Sequence, residues 1–181
     1  MGLYLIASDA LVTNNVIDAG FGLQSTAVMV ENSAGGAAGT PVLANNLVRG
    51  GGGLYGSSWA ARIWGTSTVT FLNNLLDGGD GAINICVAET AEDAVPATFV
   101  TNDLYDCATA LYASDSIRIS DPALLGAGNV SAWPFLGGGG HLTGASTCCI
   151  DTSTAAGAPA FDFENDPRPA GAGVDLGADE Y

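Results

Sequence analysis

Lysine is missing from this chain of 181 residues, and basic charge of any kind is scarce. Four arginines (Arg49, Arg62, Arg118, Arg168) and one histidine, His141, face 19 acidic residues, for a formal net charge of −15. Such a surface repels a phosphate backbone, which excludes nucleic acid as the expected partner. An anionic membrane surface is disfavoured for the same reason. Cations, Ca²⁺ included, are attracted. Charged residues of both signs make up only 13% of the chain, about half the usual share. A set of solvent-facing amphipathic helices needs more. No apolar run reaches the length of a membrane span, so direct insertion is not expected. The opening run Met1–Ile6 has no basic leader region and no cleavage signal. It reads as the start of a mature segment, or of an excised piece with an added Met1; a protein that begins mid-pattern is the alternative.

What is present is apolar and glycine-rich: 48% hydrophobic residues and 26 glycines without a collagen period. Short apolar runs split by glycine suit a stack of short strands. Four segments repeat one pattern of apolar, any, Asn, Asn or Asp, apolar, apolar. They are Val12–Ile17, Leu43–Val48, Phe71–Leu76 and Val100–Tyr105, at spacings of 31, 28 and 29 residues. Turn signals follow each block, as in Asp18-Ala19-Gly20 and Asp77-Gly78-Gly79. A period near 28 with two or three short strands fits one coil of a parallel β-helix, with coils about 4.8 Å apart. On this alignment Val12, Leu43, Phe71 and Val100 form one inward ladder, and Val16, Leu47, Leu75 and Leu104 another. The polar pairs Asn14/Asn15, Asn45/Asn46, Asn73/Asn74 and Asn102/Asp103 then stack as a structural amide ladder, since asparagine tolerates the left-handed turn conformation. A leucine-rich repeat would need a shorter period and denser leucine. A β-sandwich would not place asparagine pairs in register.

The expected fold is therefore all-β: a right-handed parallel β-helix of about four to five coils over residues 1–135, then an irregular capping tail over 136–181. The repeats resemble those of pectin-lyase-like bacterial surface proteins. Phe71-Leu72-Asn73-Asn74 with Gly78-Gly79-Asp80-Gly81-Ala82-Ile83 also looks like the repeats of polymorphic outer-membrane proteins. In the tail, Ser146-Thr147-Cys148-Cys149-Ile150-Asp151, then Phe161-Asp162-Phe163-Glu164-Asn165-Asp166-Pro167-Arg168-Pro169, then Val174-Asp175-Leu176-Gly177-Ala178-Asp179-Glu180 are ordered as three blocks. They resemble the C-terminal signature of the choice-of-anchor Q family of bacterial β-helix proteins. The chain departs from it at Thr147-Cys148-Cys149 and at Ser153. No sorting anchor follows Tyr181. The resemblance implies an exported protein, secreted or at the cell surface.

Chemistry has few handles here. Cys86, Cys107, Cys148 and Cys149 fit no zinc spacing. Their even number allows three disulfide pairings, with buried free thiols as the alternative. Asp151, Asp162, Asp166 and Asp175 read as turn caps and ion-pair partners, with Arg168 beside Asp162, Glu164 and Asp166; a Ca²⁺ site on these four aspartates is the alternative, and no other cofactor is implied. Trp59, Arg62 and Trp64 on one coil could grip a sugar; their plain reading is packed tryptophan and solvated arginine. Gly140-His141-Leu142 and Arg118-Ile119-Ser120 are fragments, in reversed order, of polygalacturonase motifs, and a lyase would need more basic groups. A non-catalytic structural or adhesive module is the leading expectation, with a surface glycan or protein as partner. A polysaccharide-active enzyme fragment is one rival. The other is a filament subunit that self-associates through open β-helix ends.

Overall fold

A computed structural model describes residues 1–53, 55–90 and 97–181. It is a β-solenoid of about four turns, with no α-helix among the described residues. Each turn contributes one strand to each of three sheets. The first sheet holds β1 (Leu3–Ile6), β4 (Gln24–Glu31), β7 (Ser57–Trp64), β10 (Ile83–Glu89), β13 (Ala110–Ala113) and β14 (Arg118–Ile119). The second holds β2 (Leu11–Thr13), β5 (Val42–Ala44), β8 (Thr70–Leu72) and β11 (Thr98–Val100). The third holds β3 (Val16–Asp18), β6 (Leu47–Arg49), β9 (Leu75–Asp77) and β12 (Asp103–Tyr105). Neighbours pair in parallel throughout, except β14, which turns back antiparallel on β13.

The register corrects the alignment of the fourth repeat. Phe71 pairs with Phe99, not Val100, and Leu75 pairs with Asp103, not Leu104. The bend between the second and third sheets explains the slip. Asn14, Asn45 and Asn73 take positive φ there, and in the fourth coil Thr101 takes that place with φ 48°. Asn102 thus matches Asn74, and Asp103 is no member of an amide ladder.

The two asparagines of each pair do different work. The second of each pair stacks along the axis. Asn15 donates from N and Nδ2 to Asn46 Oδ1, Asn46 to Asn74 Oδ1, and Asn74 to Asn102 Oδ1, at 2.9–3.2 Å. Asn102 continues the column to Asn129 Oδ1 at 2.9 and 3.1 Å. Asn46, Asn74 and Asn102 are fully buried. The first of each pair points outward and holds the tail, and one amide link, Asn73 Nδ2 to Asn45 Oδ1 at 3.2 Å, joins two of them along the stack. Asn14 Nδ2 donates to Phe161 O, Asn45 Nδ2 to Asp175 O at 3.0 Å, and Asn73 Nδ2 to Thr154 O at 2.7 Å.

The core runs down the axis through Ile17, Leu43, Val48, Phe71, Leu76, Phe99, Leu104 and Tyr112, with the Phe71 and Phe99 rings stacked at 5.2 Å. Val16, Leu47 and Leu75 lie on the opposite, outer side of the third sheet. Leu47 and Leu75 are buried there by Leu142, Cys149, Leu176 and Ala178 of the tail. The tail therefore covers a flank of the solenoid. The end of the stack is filled instead by Ile117, Ile119 and Leu125, the last in a short 3₁₀ turn at Pro122–Leu125 capped by Asp121. Glycine is demanded where coil turns stack: a Cβ on Gly79 would strike Gly51 O, and one on Gly51 would strike Gly20 O.

Candidate functional site

Trp59, Arg62 and Trp64 are brought together on the outer face of the first sheet. Strict alternation along β7 would put Trp59 and Arg62 on opposite faces. Two consecutive inward residues, Ala60 and Ala61, both fully buried, reset the alternation. Ala27–Val28 in β4 and Cys86–Val87 in β10 do the same, so the offset runs through the stack. The Arg62 guanidinium lies 4.5 Å from the Trp59 ring centroid and 5.1 Å from that of Trp64. Both distances are within cation–π range. Burial against the rings holds the Arg62 pKa below the usual arginine value; the group remains a cation at any physiological pH. A shallow hollow of about 240 Å³ opens here, lined by Trp59, Arg62, Trp64, Asp115 and Arg118 among others. Two of the four arginines of the chain thus share one hollow. Among the described residues neither has a carboxylate within ion-pair distance.

A second groove follows the turns after the third sheet. Asp18, Arg49 and Asp77 stand in register on β3, β6 and β9. With Asp80, Asp106 and Trp133 they line a hollow of about 290 Å³. Asp18 and Asp77 each spend one carboxylate oxygen on the turn, accepting from Gly20 N at 2.7 Å and Gly79 N at 2.8 Å. Burial raises the Asp77 pKa, and burial with the charge of Asp80 raises that of Asp106.

The four tail aspartates are not gathered at one point. Asp151 Oδ1 accepts from Gly173 N, Asp162 Oδ1 from Glu164 N and Asp166 N, and Asp175 from Asp151 N and Tyr181 N. Asp166 lies exposed. Arg168 pairs with Glu180 rather than with its sequence neighbours, Nη1 to Oε2 at 2.8 Å, with both side chains fully buried. His141 Nδ1 stands 3.2 Å from Asp179 and 3.5 Å from Glu164, and its ring packs on Phe163.

Of the cysteines, Cys86 and Cys107 form a disulfide with Cα atoms 5.4 Å apart. Cys148 and Cys149 are free thiols, their Sγ atoms 2.7 Å apart. Sequence reasoning missed several groups. Glu89 is buried and accepts from the Tyr112 hydroxyl at 2.7 Å; burial lifts its carboxyl to about 7. Asn129 carries no neighbouring asparagine to mark it. The turn aspartates read only as turn signals.

No family model matches the chain, and neither a curated protein nor a solved structure does so. The β-solenoid and its surface chemistry carry the functional argument alone.

Proposed function

We propose that this chain is a non-catalytic, glycan-binding module of an exported bacterial surface protein. In this reading it is a right-handed, pectin-lyase-like solenoid, and its tail is of the choice-of-anchor Q type. The observation that carries the reading is Arg62 held between Trp59 and Trp64. Tryptophan rings offer flat faces for the C–H side of a pyranose ring. The guanidinium edge offers a fork of donors to a sugar carboxylate or hydroxyl pair. In a chain of net charge −15, an arginine with no carboxylate partner among the described residues is available to a ligand. The rigid sheet beneath supplies pre-organisation, which lowers the ordering cost of binding.

The test is titration of the 181-residue protein with neutral and uronate-containing oligosaccharides, read by tryptophan fluorescence and calorimetry. At least one sugar class should bind with a change in emission, and Arg62→Ala should weaken it tenfold or more. Absence of binding across both classes, or equal binding by Arg62→Ala, would defeat the reading.

A polysaccharide-active enzyme is the second reading, and the turn groove favours it. Asp77, with its raised pKa, is of the type that serves as a general acid, and the other aspartates lining the groove supply the second carboxyl group that glycoside hydrolysis needs. Reducing-end release from a polysaccharide panel, abolished by Asp77→Asn, would replace binding by catalysis as the function.

A further inference from the structure

Asp103 occupies the one polar step in an otherwise apolar column. On the outer side of the third sheet Leu47 pairs with Leu75, and Leu75 with Asp103, all three essentially without solvent contact. A carboxyl group at that position costs stability unless it is paired or put to use. Its Oδ1 accepts from Ala132 N at 2.9 Å. Its Oδ2 faces two sulfur atoms, Cys148 Sγ at 3.7 Å and Cys149 Sγ at 3.9 Å.

The two cysteines are held in place. Cys149 N donates to Ser146 O, Leu176 N donates to Cys149 O, and Thr152 Oγ1 donates to Cys148 O, all at 2.9 Å. Cys149 is fully buried, whereas Cys148 is partly open. The Trp133 carbonyl oxygen stands 3.8 Å from Cys148 Sγ. The cluster thus has a closed floor, one open side and three converging ligand atoms.

We propose that Cys148, Cys149 and Asp103 bind one thiophilic divalent cation of the Zn²⁺ or Cd²⁺ class. Tetrahedral zinc, with bonds of about 2.3 Å to sulfur and about 2.0 Å to oxygen, requires sulfur–oxygen separations of about 3.5 Å. The two observed separations, 3.7 and 3.9 Å, are near that value. The sulfur atoms, 2.7 Å apart, must open by about 1 Å to reach the roughly 3.7 Å of a tetrahedral pair. Rotation about χ1 of the half-buried Cys148 provides for this. Water or the Trp133 carbonyl completes the fourth position. Starting from two thiols and a carboxylic acid, binding of M²⁺ forms two metal–sulfur bonds and one metal–oxygen bond. It releases three protons and leaves a site of net charge −1. Without the cation these three groups can ionise only against one another; with it their repulsion becomes attraction.

The experiment uses the full chain, purified without reductant, and Cd²⁺ as the probe. Thiol titration in denaturant should count two free thiols. Added Cd²⁺ should produce thiolate-to-cadmium charge-transfer absorption that saturates at one ion per chain and strengthens with rising pH. Cys148→Ser/Cys149→Ser should abolish the absorption. Asp103→Leu, which extends the leucine column and keeps the fold, should weaken binding tenfold or more while raising the thermal midpoint of the metal-free protein. A count of zero free thiols, meaning that Cys148 and Cys149 are already joined, would overturn the proposal. So would absorption that fails to saturate at one ion, or equal affinity in Asp103→Leu.

Discussion

Asn46 gives both its backbone N–H and its side-chain amide to a single acceptor, Asn74 Oδ1, each at 3.0 Å. Asn74 repeats the pattern with Asn102 and also donates to Leu43 O at 2.8 Å. Each buried asparagine is therefore acceptor to the coil before it and donor to the coil after it.

Truncating a middle member breaks the link to the coil before it and weakens the link to the coil after it. Asn74→Ala takes Asn74 Oδ1 from the two Asn46 donors and takes the side-chain donor from Asn102 Oδ1 and Leu43 O, leaving Asn102 Oδ1 only the backbone N–H of residue 74. At about 1–3 kcal/mol for the buried Asn46 N–H left unsatisfied and about 1 kcal/mol for each side-chain bond removed, the loss should be about 3 kcal/mol. Urea denaturation followed by circular dichroism measures it. Asn15→Ala, at an exposed position, should cost far less.

The outward asparagines permit a cleaner dissection. Asn73 has φ 54° and binds Thr154 through both amide atoms. Asn73→Gly keeps the left-handed turn free of strain but removes the clasp. Asn73→Ala removes both, and alanine in that conformation costs about 1–2 kcal/mol more. Limited proteolysis should cut the tail faster in both variants, with only the alanine variant showing the added loss of global stability.

The Arg168–Glu180 pair braces the tail from within. Glu180 also accepts from Ala170 N and Asp175 N. Glu180→Ala leaves a buried guanidinium without its counter-charge and should cost about 3–5 kcal/mol. Glu180→Gln, which keeps an acceptor, should cost less. Thermal denaturation ranks the three proteins.

Acid should stabilise the fold over part of the pH range. Burial raises both the Glu89 and the Asp103 carboxyls to about 7. Unfolded, these groups ionise near pH 4–4.5. Between those limits the native state holds more protons, so stability falls as pH rises through 7. The contribution is fully present below about pH 4. The melting temperature should therefore be higher at pH 5 than at pH 8, by about 3 °C or more. Relief of general charge repulsion adds to this, and the double variant Glu89→Gln/Asp103→Leu isolates it. That variant should flatten the profile appreciably.

The repeating asparagines and the near-constant spacing made the solenoid legible, because a stacked coil writes the same constraint into the chain every turn. The slip in the fourth repeat arose where Thr101 took over the left-handed corner from asparagine, leaving Asn102-Asp103 to mimic the earlier pairs. Sidedness was the harder part. Leu47 and Leu75 look like core residues and are buried, but by the tail on the outer flank. Sequence periodicity registers burial without saying which side supplies it. The grouping of Trp59 with Arg62 and Trp64 was legible, but not why Trp59 shares their face, since that depends on the paired inward residues Ala60 and Ala61. The partner of Arg168 lay 12 residues ahead, on the side away from the acidic cluster that precedes it.

The tail touches every coil: the first through Asn14, the second through Asn45, the third through Asn73 and the fourth through Asp103. A bare solenoid pulled along its axis would shed coils one at a time, each rung failing alone. Here the flanking strap lies across the same rungs, so a load applied to the ends is shared and must be carried in shear along the strap. Such a stack should resist force as a single block and give way abruptly, a behaviour suited to a part that holds one surface to another.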